Sequence, residues 1–312
     1  MKARLLLFSA VLLFAAHAFS QPPEQPRQRV RTVTIPISIF TKKELKERRA
    51  DEFVQVETIM VKEDNDPQQI LSIRSVSDSP LSIAILVQED LSTGFNNQLA
   101  DIRQFIRGLP KGTRVMVAYL RSGSPQIIQR FTDDLEAASR TLRIIAANPA
   151  TAPRSPYDAL AQILPRFDAT PTGRRAVLLF SDGLDTTGGL NLASITQSAD
   201  LERAILNAQR RSVAVYSFYW PTGATEGSLS LLATGGQGAL QKLADQTGGR
   251  AFGNLTTPIS FMPYFGDLSL TLSRQFALSY ISTHLNKGYH PVSVKSTNPE
   301  IRIEHPSGYY YR

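Results

Sequence analysis

Four short runs constrain this chain more than anything else in it. SIAILV (82–87), VMVAYL (115–120), AVLLFS (176–181) and VAVYSFYW (213–220) are almost wholly apolar. A strand with one wet face alternates, so runs without alternation belong where both faces are covered, as in a parallel sheet. The segments between them carry helical spacing, over 96–108, 134–147, 157–167, 198–211 and 238–247. Strands alternating with helices predict an α/β domain, a doubly wound and mostly parallel sheet, over residues 79–260. Ligands of such sheets bind outside the carboxyl ends of the strands. Two loops therefore matter most, Gln88 to Gly94 and Ser181 to Asp185, because each follows a buried run and carries a carboxylate.

The flanks read differently. Residues 30–40 (VRTVTIPISIF) alternate and are rich in β-branched residues, and IMVKED, a turn-like NDP at 65–67 and QQILSIRSV follow a charged stretch at 41–53. This is a small β-rich region over 30–78. From Phe261 a last helix leads to FALSYIS, HPVSVKS and EIRIEHPSGYYY, so 261–312 is expected to be a helix and strands that pack with the N-terminal region into a flanking β domain. Tyr309, Tyr310 and Tyr311 alternate as strand residues do, either covering that domain's core or docking a partner.

The start, MKARLLLFSAVLLFAAHAFSQ, sets Lys2 and Arg4 before an apolar run and ends in Ala16-His17-Ala18. That pattern is a secretory signal peptide over residues 1–20, too short in its apolar part to span a bilayer. Export, with no cysteine in 312 residues, fits a bacterial envelope protein without disulfides or a lipid anchor on cysteine. The expected location is the periplasm, the cell surface or the exterior, with no transmembrane segment in the mature chain. Residues 21–29 are a Pro- and Gln-rich linker. Losing Lys2 and Arg4 brings the formal charge of +7 to +5, and no face interleaves basic and aromatic residues, so nucleic acid is excluded as a partner.

Asp90 and Ser92 lie just past the first buried run and Asp182 just past a later one. One carboxylate and one hydroxyl, with a second carboxylate acting through water, suit a hard ion such as Mg²⁺ or Mn²⁺ and leave a position for an acidic group of a partner. Glu89 either adds an oxygen or, the favoured reading, is a solvated loop charge. GGQGALQK (235–242) opens a helix, where its amides either bind an anion or simply turn the chain. Trp220 either lines the rim or packs in the core. Catalysis finds little support: the histidines past the leader are His284, His290 and His305, far in sequence from the rim, and no G-x-S-x-G or H-E-x-x-H is present. A carboxylate-based hydrolase using Asp90 and Asp182 is the remaining enzymatic alternative.

SIAILVQEDLSTG, AVLLFSDGLDT and LADQTGGRAF, in that order, resemble a von Willebrand factor A domain. Its metal-ion-dependent adhesion site reads D-x-S-x-S, then a distant Thr, then an Asp in an S-D-G-x-D loop. With IMVKEDNDPQQILSI before the domain and SGYYY at the end, the chain resembles the VWFA-related proteins common in Acidobacteria, over about 30–312.

The resemblance places Asp90 and Ser92 at the first two motif positions and Asp182 at the late aspartate. Two positions depart. Gly94 stands where the family has Ser, and in RSPYDAL Arg154 stands where it has Thr, with Ser155 beside it. A guanidinium cannot ligate a cation but can pair with Asp90 or Asp182 in its place; Ser155 is the substitute hydroxyl if a metal is held. Asp185, in the same loop as Asp182, is expected in turn and cap chemistry. The implied function is protein–protein interaction or adhesion through a degenerate site, with Gly94, Arg154, Ser155 and Asp185 at the contact with an unknown protein partner offering an acidic side chain. The alternative is a metal-independent envelope scaffold that uses Arg154.

Overall fold

Alternation decides the first three strands. β1 (Arg31–Thr41) buries Val33, Ile35, Ile37 and Ile39 on one face, and β2 (Ile59–Glu63) buries Ile59, Val61 and Glu63. β3 (Asp66–Ser75) returns across a turn in which Asp64 and Asn65 both take positive φ, 51° and 71°. Asp and Asn tolerate that conformation, and two-residue hairpins require it. The structure is a computed structural model describing residues 30–43, 59–75, 80–121, 123–146, 155–171, 174–187, 196–226, 231–253 and 260–311. The leader, the linker, most of the charged stretch 41–53 and Arg154 lie outside the described residues.

The α/β unit follows in chain order: β4 (Leu81–Gln88), α1 (Leu99–Arg107), β5 (Arg114–Arg121), β6 (Ser124–Thr132), α2 (Leu135–Arg140), α3 (Pro156–Ile163), β7 (Arg174–Ser181), α4 (Ala199–Arg210), β8 (Ala214–Tyr219), α5 (Leu231–Thr247), β9 (Ala251–Phe252) and α6 (Met262–Ser273). The sheet order is β6-β5-β4-β7-β8-β9, parallel throughout except that β6 pairs antiparallel with β5 at one edge. Every residue of β4 and β7 is buried, as their unbroken apolar runs require. Ile83, Ile85 and Val87 face α1, α2 and α6; Ala84 and Leu86 face α3, α4 and α5. Each buried Ile, Leu or Val contributes about 1.5–3 kcal/mol relative to exposure, before the entropy of ordering the chain.

Local differences from the sequence reading have physical causes. α2 ends at Arg140 rather than continuing to 147. The chain beyond it extends, and the Asn96 side chain pairs with the backbone of Ile145 as a strand would (Nδ2 to O 3.0 Å, N to Oδ1 2.9 Å). β6, unforeseen, carries Pro125 and alternates exposed and half-buried residues; such residues belong at a sheet edge.

β10 (Gln275–Ser282), β11 (Gly288–Ser296), β12 (Ile301–Glu304) and β13 (Gly308–Tyr311) join the first three strands in one antiparallel sheet, ordered β12-β1-β10-β3-β2-β11-β13. The expected pairing of the two ends of the chain is thus present, with Thr34 opposite Ser279. One part of the 261–312 expectation is extended. α6 packs on the parallel sheet as well as against β1: Phe265 stacks on Phe105 (4.6 Å between centroids) and Leu268 and Leu272 enter the same core, while Ser38 of β1 donates to Thr271 O at 3.5 Å. The tyrosines divide by face: Tyr309 packs against the antiparallel sheet's core, while Tyr310 lies under Arg210 of α4, 4.6 Å from guanidinium carbon to ring centre. No described helix is long and apolar enough to cross a membrane.

Candidate functional site

β4 ends at Gln88, and its side chain organises the carboxyl edge of the sheet. Gln88 Oε1 accepts from the Ser181 hydroxyl and from the Asp182 backbone N–H (3.3 Å), while its Nε2 donates to Asp182 Oδ1 at 3.1 Å. Asp182 is 3% exposed. Its Oδ1 also accepts the Leu184 N–H (3.1 Å), and its Oδ2 accepts the Thr222 hydroxyl (2.8 Å). All these donors are neutral. Burial therefore dominates and pushes the Asp182 carboxyl up to about 6 despite the hydrogen bonds, with the nearby Asp90 charge adding to the rise.

Asp90 lies on the same edge, half-buried. Its Oδ1 is buried without a hydrogen-bond partner, and burial again is the main cause that raises its carboxyl, opposed by Gln88. Ser92 accepts from the Trp220 indole N–H at 3.1 Å, and its own N–H donates to Pro221 O at 2.8 Å. Trp220, 5% exposed, fulfils both readings: its edge holds Ser92 and its ring packs against Phe95 and Phe261.

Asp90, Ser92 and Asp182 are thus brought to one rim, as the strand-end rule predicts. The other candidates divide. Gly94 sits beside Trp220, and a Cβ there would meet Trp220 Cζ2 at 3.4 Å, an ordinary contact. Ser155 is buried and caps α3 by accepting the Asp158 N–H (3.3 Å). The same helix start touches the Asp182 loop, through Tyr157 hydroxyl to Gly183 O at 2.7 Å. Asp185 accepts from Thr187 N (3.0 Å) and Thr187 Oγ1 (2.7 Å), which is the expected turn chemistry.

Two expectations are corrected. Glu89 is not a solvated loop charge: it is 7% exposed and pairs with Arg143 and, at 3.6 Å, with Arg121. Arg143 is held over the Tyr119 ring, 4.3 Å from its centre, so the charge is met inside the fold. GGQGALQK does not open a helix but lies within α5, where the amides are committed to helical bonds. Its glycine serves contact: a Cβ on Gly236 would meet Asp182 O at 2.1 Å, and one on Gly183 would meet Gly236 O at 2.2 Å. The residues that sequence reasoning missed are Gln88 and Thr222. Gln88 reads only as the start of a loop, and Thr222 arrives from the loop after β8 through a bridge to Leu91.

A hard divalent ion wants about six oxygens. Asp90 Oδ1 and Ser92 Oγ face the rim, but Asp182 is already clasped by three donors and Gly94 offers nothing. Asp90 Oδ1 and Ser92 Oγ are thus the oxygens the described rim could offer an ion directly.

No protein-family model matches the chain, and no curated protein matches it. Among solved structures it is similar to a von Willebrand factor type A protein from Catenulispora acidiphila, with TM-score 0.46 and 11% identity over 84% of this chain and 76% of that one. It is also similar to an aerotolerance-related membrane protein from Bacteroides fragilis NCTC 9343 carrying multiple mutations to serines (0.45, 13%, 62% of this chain and 98% of that one). A third is the conserved hypothetical protein BatB from Bacteroides thetaiotaomicron (0.43, 14%, 62% and 97%). Likeness at this distance carries neither a site nor an activity across.

Proposed function

We propose that the protein is exported and acts without catalysis, as a von Willebrand A-like interaction or adhesion module at the bacterial cell envelope. In this reading it is of the VWFA-related type and its adhesion site is degenerate. The observation that carries the proposal is the clasp on Asp182. Gln88, Leu184 N–H and Thr222 occupy both carboxylate oxygens, and Gly94 removes a hydroxyl, so the rim stays formed without an ion. A partner's acidic side chain is then met by Arg154, which adjoins the buried cap Ser155 in sequence. Non-catalysis is supported by what faces the rim: among described residues the histidines belong to the antiparallel sheet and its loops. A carboxylate-based hydrolase has the least support, and turnover of ester, peptide or glycan that Asp90→Ala abolishes would establish it.

A second reading rests on one atom. Asp90 Oδ1 is buried without a partner, and a Mg²⁺ or Mn²⁺ held by it and Ser92 would satisfy it, with Asp182 behind water and a partner carboxylate completing the shell. Calorimetric titration of both ions into residues 21–312 and its Asp182→Ala variant separates the two. Silence in both is expected, together with acidic-peptide binding that Arg154→Thr removes and chelator leaves intact. Saturable ion uptake lost in Asp182→Ala selects the second reading.

A further inference from the structure

A second polar cluster lies in the antiparallel sheet, away from the rim. The β2–β3 hairpin brings Glu63 and Asp64 against His290 of β11, and one ligand atom from each lies within 4.8 Å of the others. Glu63 is fully buried. Its Oε1 accepts from Tyr309 (2.7 Å), Ser282 (2.8 Å) and Arg31 (3.5 Å), while its Oε2 is buried with no hydrogen-bond partner, as is the Tyr280 hydroxyl that faces the same carboxylate. A buried carboxylate oxygen left bare costs free energy and marks a position for a donor or a cation.

The imidazole is oriented for the same purpose. His290 Nε2 lies 2.7 Å from the backbone carbonyl of Asn286, which can only accept, so Nε2 carries the proton. Nδ1 then faces Asp64 Oδ2 at 2.7 Å and Glu63 Oε1 at 3.6 Å. A bare lone pair there would be repelled by both oxygens, so the position needs a positive species. A second carbonyl-anchored nitrogen is the usual device that aims a metal-ligating histidine. Tyr309 stacks on the ring, 5.5 Å between centroids, and fixes its plane.

Glu63 and Asp64 carry two negative charges against the one positive charge of Arg31, so the cluster favours a cation. Glu63, Asp64 and Asp66 gather here, and Arg31 is the one arginine paired with them among the described residues. His284 approaches the same turn, its Nδ1 3.4 Å from Asp64 Oδ2 and its Nε2 3.3 Å from the exposed Asp66 Oδ2. Bond lengths of about 2.0–2.2 Å around tetrahedral zinc set ligand atoms about 3.3–3.5 Å apart. The 3.6 Å separation already matches, and the 2.7 Å pair opens by movement of Asp64, a turn residue whose side chain is 29% exposed.

We propose that Glu63, Asp64 and His290 form a site for a divalent transition ion of the zinc class, bound through His290 Nδ1 and carboxylate oxygens with water completing the shell. Nitrogen with oxygen donors selects such ions over Mg²⁺. Held there, the ion would clip the β2–β3 hairpin to β11.

The test is calorimetric titration of Zn²⁺ alone into the intact purified chain at neutral pH, beside His290→Ala, Asp64→Asn and Asp182→Ala. One Zn²⁺ per chain is expected, with a higher melting temperature in its presence. Affinity should fall about 10- to 100-fold in Asp64→Asn and vanish in His290→Ala, while Asp182→Ala, at the other sheet, binds as the natural chain does. His290→Ala removes a core ring, so Asp64→Asn, at an accessible turn, decides the matter if that variant misfolds. Uptake that survives both substitutions, or none by the folded natural chain, would overturn the proposal and leave His290 a hydrogen-bond partner of Asp64.

Discussion

Two buried carboxylates, Asp182 at the parallel sheet and Glu63 in the antiparallel one, are kept in opposite ways. Asp182, at the edge of the parallel sheet, meets only neutral donors, and burial raises its carboxyl to about 6. Glu63, inside the antiparallel sheet, is paired with the Arg31 guanidinium and with two hydroxyls on one oxygen. A built-in cation meets one oxygen of Glu63 and leaves Oε2 without a hydrogen-bond partner. Asp182, surrounded by neutral dipoles, is held in shape without a cation and keeps a raised carboxyl.

If that contrast is right, the largest effect belongs to Glu63. Glu63→Ala removes the carboxylate partner of the part-buried Arg31 guanidinium and the acceptor of the Tyr309 and Ser282 hydroxyls, and losing one partner of a buried ion pair costs up to about 3–5 kcal/mol. Urea unfolding should show that loss; a change below about 1 kcal/mol would mean that Arg31 finds water and that the charge is not structural.

Next in size is the crossing that shapes the Asp182 loop. A methyl on Gly236 would lie 2.1 Å from Asp182 O, and such overpacking costs about 1–3 kcal/mol. Gly236→Ala should lower stability by that amount and displace the loop, weakening the acidic-peptide binding proposed for the rim. Lost stability with intact binding would separate the rim from α5.

Asp182 itself should behave in the reverse sense to Glu63. Its folded value, about 6, lies above the unfolded value of 3.8, so the native state binds this proton more tightly than the unfolded chain. Its contribution is most favourable below the unfolded value, declines as pH rises from 3.8 to about 6 and is flat beyond. The ceiling is roughly 3 kcal/mol, from about two units at 1.36 each. Asp182→Asn removes the charge and keeps an acceptor for Leu184 N–H, at the loss of charge-assisted bonds. In chelator it should gain about 1–2 kcal/mol at neutral pH and lose this slope. A destabilised variant would mean that the dipoles outweigh burial.

The same two regions differ in how far they could be read. β4, β5, β7 and β8 were legible because a sheet covered on both faces needs unbroken apolar runs, and the rule that sites lie beyond the carboxyl ends then placed Asp90, Ser92 and Asp182 together. What completes that rim was not legible. Thr222 reaches Asp182 across 40 residues, and Gln88 reads only as the start of a loop, with no sign that its side chain holds Asp182. Glu89 was misjudged because Arg143, 54 residues on, carries no local sign of its pairing. The antiparallel half yielded its strands but not its cluster. Glu63 and Asp64 sit on a turn, and the histidine that meets them comes 226 residues later, so no spacing joins them.

The smallest effect on stability, and the sharpest test of the contrast, comes from Gly94. Its φ lies outside the positive range that would demand glycine, and the nearest atom to a new Cβ is Trp220 Cζ2 at 3.4 Å. Gly94→Ser should therefore change stability by less than about 0.5 kcal/mol. It adds a hydroxyl two residues from Ser92, on the loop that carries Asp90, whose Oδ1 is buried without a partner. If the rim lacks only a ligand, Mg²⁺ will raise the melting temperature of the variant and not of the natural chain, because an ion that binds the folded state alone stabilises it. If Mg²⁺ leaves the variant unmoved while Arg154→Thr with Gly94→Ser responds, the missing positive charge at Asp90 is met by the guanidinium. The parallel sheet would then keep its carboxylates as the antiparallel sheet keeps Glu63, with a cation of its own.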